Sequence, residues 1–270
     1  MEERAADDDI EELKAADAKD VHRAVREEGE AELRRSAPSL LWSGLAAGIA
    51  INASLVAMAI LHAALPEGPA KPLLVALGYP IGFIIVVLGR MQFFTESTIT
   101  AMLPFAHRPS LDGARRTVRL WSLVLVANLA GTLLTTGALV HLGLVAPEVR
   151  AGMTGVAESM LAHDPMHTFL VGIPAGFLIA GIAWLLPNGR EQAFLVIFAI
   201  TWVVGAADFA HSVAGSAKAW VLAWEGLLSW PGALFGEIMP AVAGNLIGGA
   251  GLFTLLAHGQ VQGEPEGDRA

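Results

Sequence analysis

Two clusters of polar and ionisable residues interrupt otherwise apolar stretches of this chain, and they hold most of its candidate chemistry. The first, Arg90, Gln92, Thr95, Glu96, Ser97, Thr98 and Thr100, lies between YPIGFIIVVLG and AMLPF. The second, Asp208, His211, Ser212, Gly215, Ser216 and Lys218, lies between FLVIFAITWVVGAA and AWVLAW. An imidazole can give or take a proton near neutral pH, and fixed carboxylates and cations attract or repel a charged solute. Covalent catalysis is a poor fit: the chain has no cysteine, no nucleophile lies beside a base, and no metal set stands at usable spacing. His163 and His167, flanking Asp164, read as loop histidines without a further ligand. The chain is therefore not read as an enzyme, and no cofactor is called for.

The elements that position these clusters follow from composition. Apolar residues make up 54% of the chain and charged residues 16%, and the net charge of −9 is concentrated in its ends. That is the composition of an integral membrane protein, and with no basic patch interleaved with aromatics it excludes nucleic acid as a partner. Apolar runs fall at 38–62, 72–105, 117–145, 166–187, 191–224 and 232–257, which predicts an all-α membrane protein of six transmembrane helices. The second and fifth runs are the interrupted ones, each the middle member of a three-helix half. Matched breaks in corresponding places predict an inverted three-helix repeat with discontinuous helices. Because hydrocarbon cannot hydrogen-bond open backbone, such breaks persist only where protein encloses them or they line a wet cavity, so the pair points to a solute pathway.

Ionisable residues at that depth cost about 2.5 to 3.5 kcal/mol each on insertion scales, which makes Arg90, Glu96, Asp208, His211 and Lys218 candidates by default. Blander readings stand beside each. His211 could only satisfy a backbone carbonyl; Glu96 and Asp208 could cap the half-helices beside them; Arg90 and Lys218 could snorkel or neutralise those acids. Gly131, Gly172, Gly176, Gly181 and the GNLIGGAG run at 244–251 read as close helix packing, not as a phosphate loop. Trp42, Trp121, Trp184, Trp220, Trp224 and Trp230 read as interfacial anchors.

Lys and Arg set the expected orientation. Arg34 and Arg35, then Arg108, Arg115, Arg116 and Arg119, then Arg190 fall on one side; the opposite loops hold Lys71, and Arg150 among acids. The positive-inside rule then puts both termini in the cytoplasm of a multi-pass protein of the cell's inner (plasma) membrane. Residues 1–37 form a polar segment with Ile10, Leu13, Val21, Val25 and Leu33 at helical spacing, expected as a cytoplasmic amphipathic helix, with a solvated tail as the alternative. Residues 38–257 form the channel domain and 258–270 a cytoplasmic tail. The start, MEERAADDDIEELK, has no apolar core and is not read as a cleavable signal.

Three stretches resemble the formate/nitrite transporter family: FFTESTIT at 93–100, DFAHSVAG at 208–215 and MPAVAGNLIGG at 239–249. The resemblance, over roughly residues 38–257, implies an aquaporin-like fold assembled as a homopentamer in the lipid bilayer, with a pore in each protomer. It identifies His211 with the family's central pore histidine, Thr95 with the threonine of the first break, Phe94 with an apolar constriction residue, and Asn245 with a structural asparagine of the last helix. The chain also departs from the family pattern. Ala210 replaces the usual Glu before the histidine and Val204 a Phe; Gln92, preceded by Arg90 and Met91, replaces the acid of the first motif. Asp164 stands for a pore-mouth Lys and Ala180 for an Asn.

The function expected is passage of a small monovalent anion or its weak acid. An ion stripped of water in a narrow apolar pore is heavily penalised and a neutral acid far less so, so a proton reaching the anion from His211 or from water would let it cross. Two other classes stay open. One is a neutral-solute channel, favoured by the missing Phe at Val204 and the added acids. The other is a non-conducting membrane scaffold that binds a partner through its N-terminal segment.

Overall fold

The computed structural model describes residues 17–262, which are helical apart from their connections. Residues 1–16 and 263–270, with Ile10 and Leu13 of the expected amphipathic helix and most of the expected tail, lie outside the described residues. Helix α1 (Ala18–Leu33) is polar and capped by Asp17. Helix α2 (Ala37–Ala64) opens on Ser36, whose hydroxyl accepts from Ser39 N–H, and α3 is Lys71–Leu88. The shorter α4 (Glu96–His107) precedes α5 (Leu111–His141) and α6 (Pro147–Ala157). After α7 (Pro165–Leu185) come two more short helices, α8 (Ala193–Ala206) and α9 (Ser212–Trp224), and the long α10 (Gly232–Gln262). Among the described residues five helices, α2, α3, α5, α7 and α10, are long and apolar enough to cross a membrane.

The second and fifth apolar runs are each two helices joined by open backbone, α3 with α4 and α8 with α9. At about 1.5 Å per residue, the 14 residues of α8 and 13 of α9 each reach about 20 Å, short of a hydrocarbon core of about 30 Å. Both first half-helices end the same way. Arg90 N–H bonds to Val87 and Met91 N–H to Val86; Asp208 N–H bonds to Gly205 and Phe209 N–H to Val204. The residues carrying this turn, Arg90 (φ 53°) and Asp208 (φ 51°), are the only non-glycine residues described in the left-handed region. Glycine usually occupies that position, and an L side chain costs about 1 to 2 kcal/mol there. Both breaks tolerate a charged side chain at that price.

Small residues seat the first and third helices of each half against one another. A Cβ on Gly48 would collide with the Asn128 carbonyl and one on Gly131 would meet Gly48 Cα at 2.8 Å; on the other side a Cβ on Gly176 would meet Asn245 Cα at 2.5 Å and one on Gly248 the Ile173 carbonyl. Thus α2 packs on α5 as α7 packs on α10, backbone against backbone. The core between them is apolar, with Phe83, Phe93, Phe94, Ile51, Leu120 and Ile197 fully enclosed. Trp220 belongs to this interior: its indole donates to Thr132 Oγ1 at 3.2 Å, so it is not the surface anchor that the sequence suggested, whereas Trp42 is 73% exposed.

Candidate functional site

Each break is held open by one asparagine. In the first half Asn128 of α5 accepts at Oδ1 from Phe94 N–H at 2.9 Å, and its Nδ2 donates to Gln92 O at 3.0 Å and Gly44 O at 2.8 Å. In the second half Asn245 of α10 accepts from Ser212 N–H at 2.8 Å and donates to Ala210 O and Gly172 O, both at 2.9 Å. Two backbone groups of a break and a glycine carbonyl of the first helix are satisfied by one amide in both halves. That answers the cost of bare peptide groups at this depth. Asn128 was not among the residues singled out from the sequence; a lone Asn in an apolar run carries no local signal, and only its equivalence to Asn245 would have found it.

Between the breaks sits His211. It is buried and caps α9, with Nδ1 accepting from Ala214 N–H at 3.1 Å. A nitrogen that accepts cannot carry the hydrogen, so the neutral ring is protonated at Nε2. That nitrogen lies 2.8 Å from Thr95 Oγ1, to which it donates. Phe93 stacks on the imidazole at 5.3 Å with planes 12° apart, and Phe83 meets it edge-on at 5.1 Å. His211 is thus more than the bonder of a carbonyl. Phe94, expected as the constriction, is buried like Phe93, and its N–H donates to Asn128 Oδ1; the ring stacked on the histidine is that of Phe93.

Cavities approach this stack from two directions. On the α1 side, a near vestibule of about 320 Å³ is lined by Glu28, Glu32, Arg90, Gln92, Phe93 and Glu96. On the other side, a far vestibule of about 30 Å³, room for a water or two, is lined by Val204, Asp208, His211, Lys218, Thr168 and Glu237 among others. The stacked rings of Phe93 and His211 stand between them.

The charged candidates are arranged differently from their expected roles. Arg90 makes no ion pair with Glu96: its guanidinium, largely exposed, bonds Glu28 of α1 at 2.6 Å. Glu96 is the first residue of α4 and borders the near vestibule. Asp208 caps no helix, since His211 fills that place; it faces Lys218 at 3.5 Å. His167 lies in the first turn of α7, not in a loop, and its N–H is capped by Asp164 at 2.8 Å. Two acids that the sequence did not single out also border the vestibules. Glu32 accepts from Gln92 Nε2 at 2.8 Å and from Thr100 Oγ1 at 2.6 Å, and its burial raises the carboxyl above its usual range against those bonds. Glu237 of α10 accepts from Thr168 Oγ1 at 3.1 Å.

Paired broken helices meeting at a ring stack between two cavities are the build of a membrane transport protein of channel type. Comparison with known proteins makes this specific: the chain belongs to the formate/nitrite transporter family, whose model matches residues 19–259. It is 35% identical over 249 residues to the inner membrane protein YfdC of Escherichia coli (strain K12), covering 92% of this chain and 80% of that protein. In fold it is similar to an FNT family ion channel (TM-score 0.77, 17% identity, 90% of this chain and 98% of the other). It is likewise similar to a pentameric formate channel with formate bound (TM-score 0.71, 18% identity, 83% and 97%).

Proposed function

We propose that this chain conducts a small monovalent anion of the formate or nitrite kind, or its weak acid, through a pore in each protomer, with His211 and Thr95 at its waist. The observation that carries this reading is the ring stack closing two opposed cavities: an ion would leave both hydration and fixed charge behind at Phe93, whereas a neutral acid would not. Membership of the family and likeness to a formate-bound channel support the solute class. Glu96, Arg90, Asp208 and Lys218 then grade the charge of the mouths, Val204 widens the far one, Phe94 backs Phe93 in the narrow section, and Asn245 is structural. The matched halves act as an inverted repeat in the inner membrane, within a homopentamer like the solved relative. Residues 38–257 form the conducting domain, and both termini face the cytoplasm.

Flux of formate, nitrite, acetate, lactate and hydrosulfide into proteoliposomes against pH tests this, for the wild type and His211→Phe. Acid-stimulated flux of at least one solute, altered in the variant, is expected; no flux of any in the wild type refutes the reading. A second reading draws on the acids at both mouths, Glu28, Glu32 and Glu96 on one side and Asp208 and Glu237 on the other, which disfavour anion entry: a neutral solute without histidine chemistry. Stopped-flow swelling with glycerol or urea distinguishes the two.

A further inference from the structure

Glu237 is a carboxyl that the waist does not use. It sits in a π-helical segment, Gly232–Ile238, where Met239 N–H reaches back five residues to Leu234 O; such bulges recur at functional sites. Its side chain is buried yet borders the far vestibule together with His211. The hydroxyl of Thr168, from α7, donates to one of its oxygens.

The groups facing it from every packed element can be named. The break before α9 contributes Asp208, and α9 with its cap contributes Lys218 and His211; the loop before α7 contributes His163 and α3 contributes Tyr79. Lys218 is turned to Asp208, and no ion pair involves Glu237 among the described residues. His211 has one nitrogen accepting from Ala214 N–H and the other donating to Thr95, so a second ring proton would be set against a backbone N–H. A carboxyl lining the same cavity as that ring, with the Thr168 hydroxyl as its hydrogen-bond partner among the described residues, can give or take a proton without breaking a salt bridge or a helix cap.

Resting on the weak-acid reading above, we infer that Glu237 is the proton-exchanging group of the far vestibule, protonating a small monobasic anion before it meets His211. The O–H bond of the Glu237 carboxyl breaks as an O–H bond forms on the anion's oxygen; the neutral acid moves on to the ring stack. The carboxylate left behind takes its next proton from a hydronium ion of the solution on that side, releasing water. For passage in the other direction the same exchange runs backwards, and Glu237 receives the proton.

The experiment uses the full chain in uniformly oriented proteoliposomes, with formate and acetate entry measured while pH is changed on the Glu237 side alone, then on the opposite side alone. In Glu237→Gln, which keeps an oxygen for Thr168, acid on the Glu237 side should stimulate entry about tenfold less than in the wild type. Stimulation from the opposite side should be kept, and Glu237→Asp should restore most of the loss. A Gln variant with the wild-type profile overturns the inference, and so does one depressed equally from both sides with no rescue by Asp, since that is a folding role. A wild type that carries neither acid, nor nitrite, lactate or hydrosulfide, refutes the transport reading itself, a result distinct from a conducting wild type indifferent to Glu237.

Discussion

Replacing Asn128 by alanine removes three hydrogen bonds at once: those from Phe94 N–H, and to Gln92 O and Gly44 O. All three partners lie in protein interior. At about 1 kcal/mol net for each bond the loss is about 3 kcal/mol. A chain of this size shifts its melting midpoint by about 2 to 4 °C per kcal/mol, so Asn128→Ala should melt about 6 to 12 °C below the wild type in detergent. Asn128→Asp should be worse than alanine, because an oxygen would replace the Nδ2 that now faces two carbonyls, setting acceptor against acceptor. Asn245 makes the equivalent three bonds, so Asn245→Ala should fall in the same range. Differential scanning fluorimetry of the four purified proteins is the assay. A drop below about 2 °C for Asn128→Ala, or an aspartate variant as stable as the wild type, would refute the account of how the breaks are held open.

Three other expectations follow from the same contacts. Phe93→Ala removes the ring between the near vestibule and His211, so stopped-flow swelling should show faster small-solute entry; an unchanged rate would mean that the rings do not close the passage. A Cβ on Gly29 would collide with the Thr100 carbonyl, so Gly29→Ala should lift α1 from α4, and hydrogen exchange in α1 should accelerate by about tenfold or more for a clash costing over ~1.4 kcal/mol. Burial first, then the charges of His258, Arg26 and His107, lowers the His22 imidazole in α1 from 6.5 to about 4. A lowered histidine stabilises the docked helix above 6.5 and loses that contribution as pH falls towards 4. Exchange in α1 should therefore quicken over that window. In His22→Phe the sign should reverse, because the raised Glu32 carboxyl favours docking as pH falls; a variant that still loosens with acid contradicts the assignment.

The membrane composition, the two breaks and the residues at them could be read directly from the chain, because polarity within a long apolar run is a local signal and hydrocarbon leaves few ways to satisfy it. His211 and Thr95 were legible for that reason, and their motifs carried the family. Phe93 and Phe94 are adjacent aromatic residues of one loop, and which of them faces the histidine depends on the turn at Arg90 and the bond from Phe94 N–H to Asn128. Nothing local distinguishes Glu32 from the other acids of α1, or Glu237 from a residue near the start of an apolar run. Their meaning comes from what packs opposite: Thr100 and Gln92 for the one, Thr168 and the histidine cavity for the other. Arg90 and Lys218 could be recognised as charges needing partners, but only the folded chain decided that these are Glu28 and Asp208, 62 and 10 residues away. By itself the sequence determined where the chain must leave the helix and which groups would then be costly, since those follow from transfer energies residue by residue. Which groups answer that cost is a matter of distance in space, and that was decided by the glycine-seated packing of α2 on α5 and of α7 on α10.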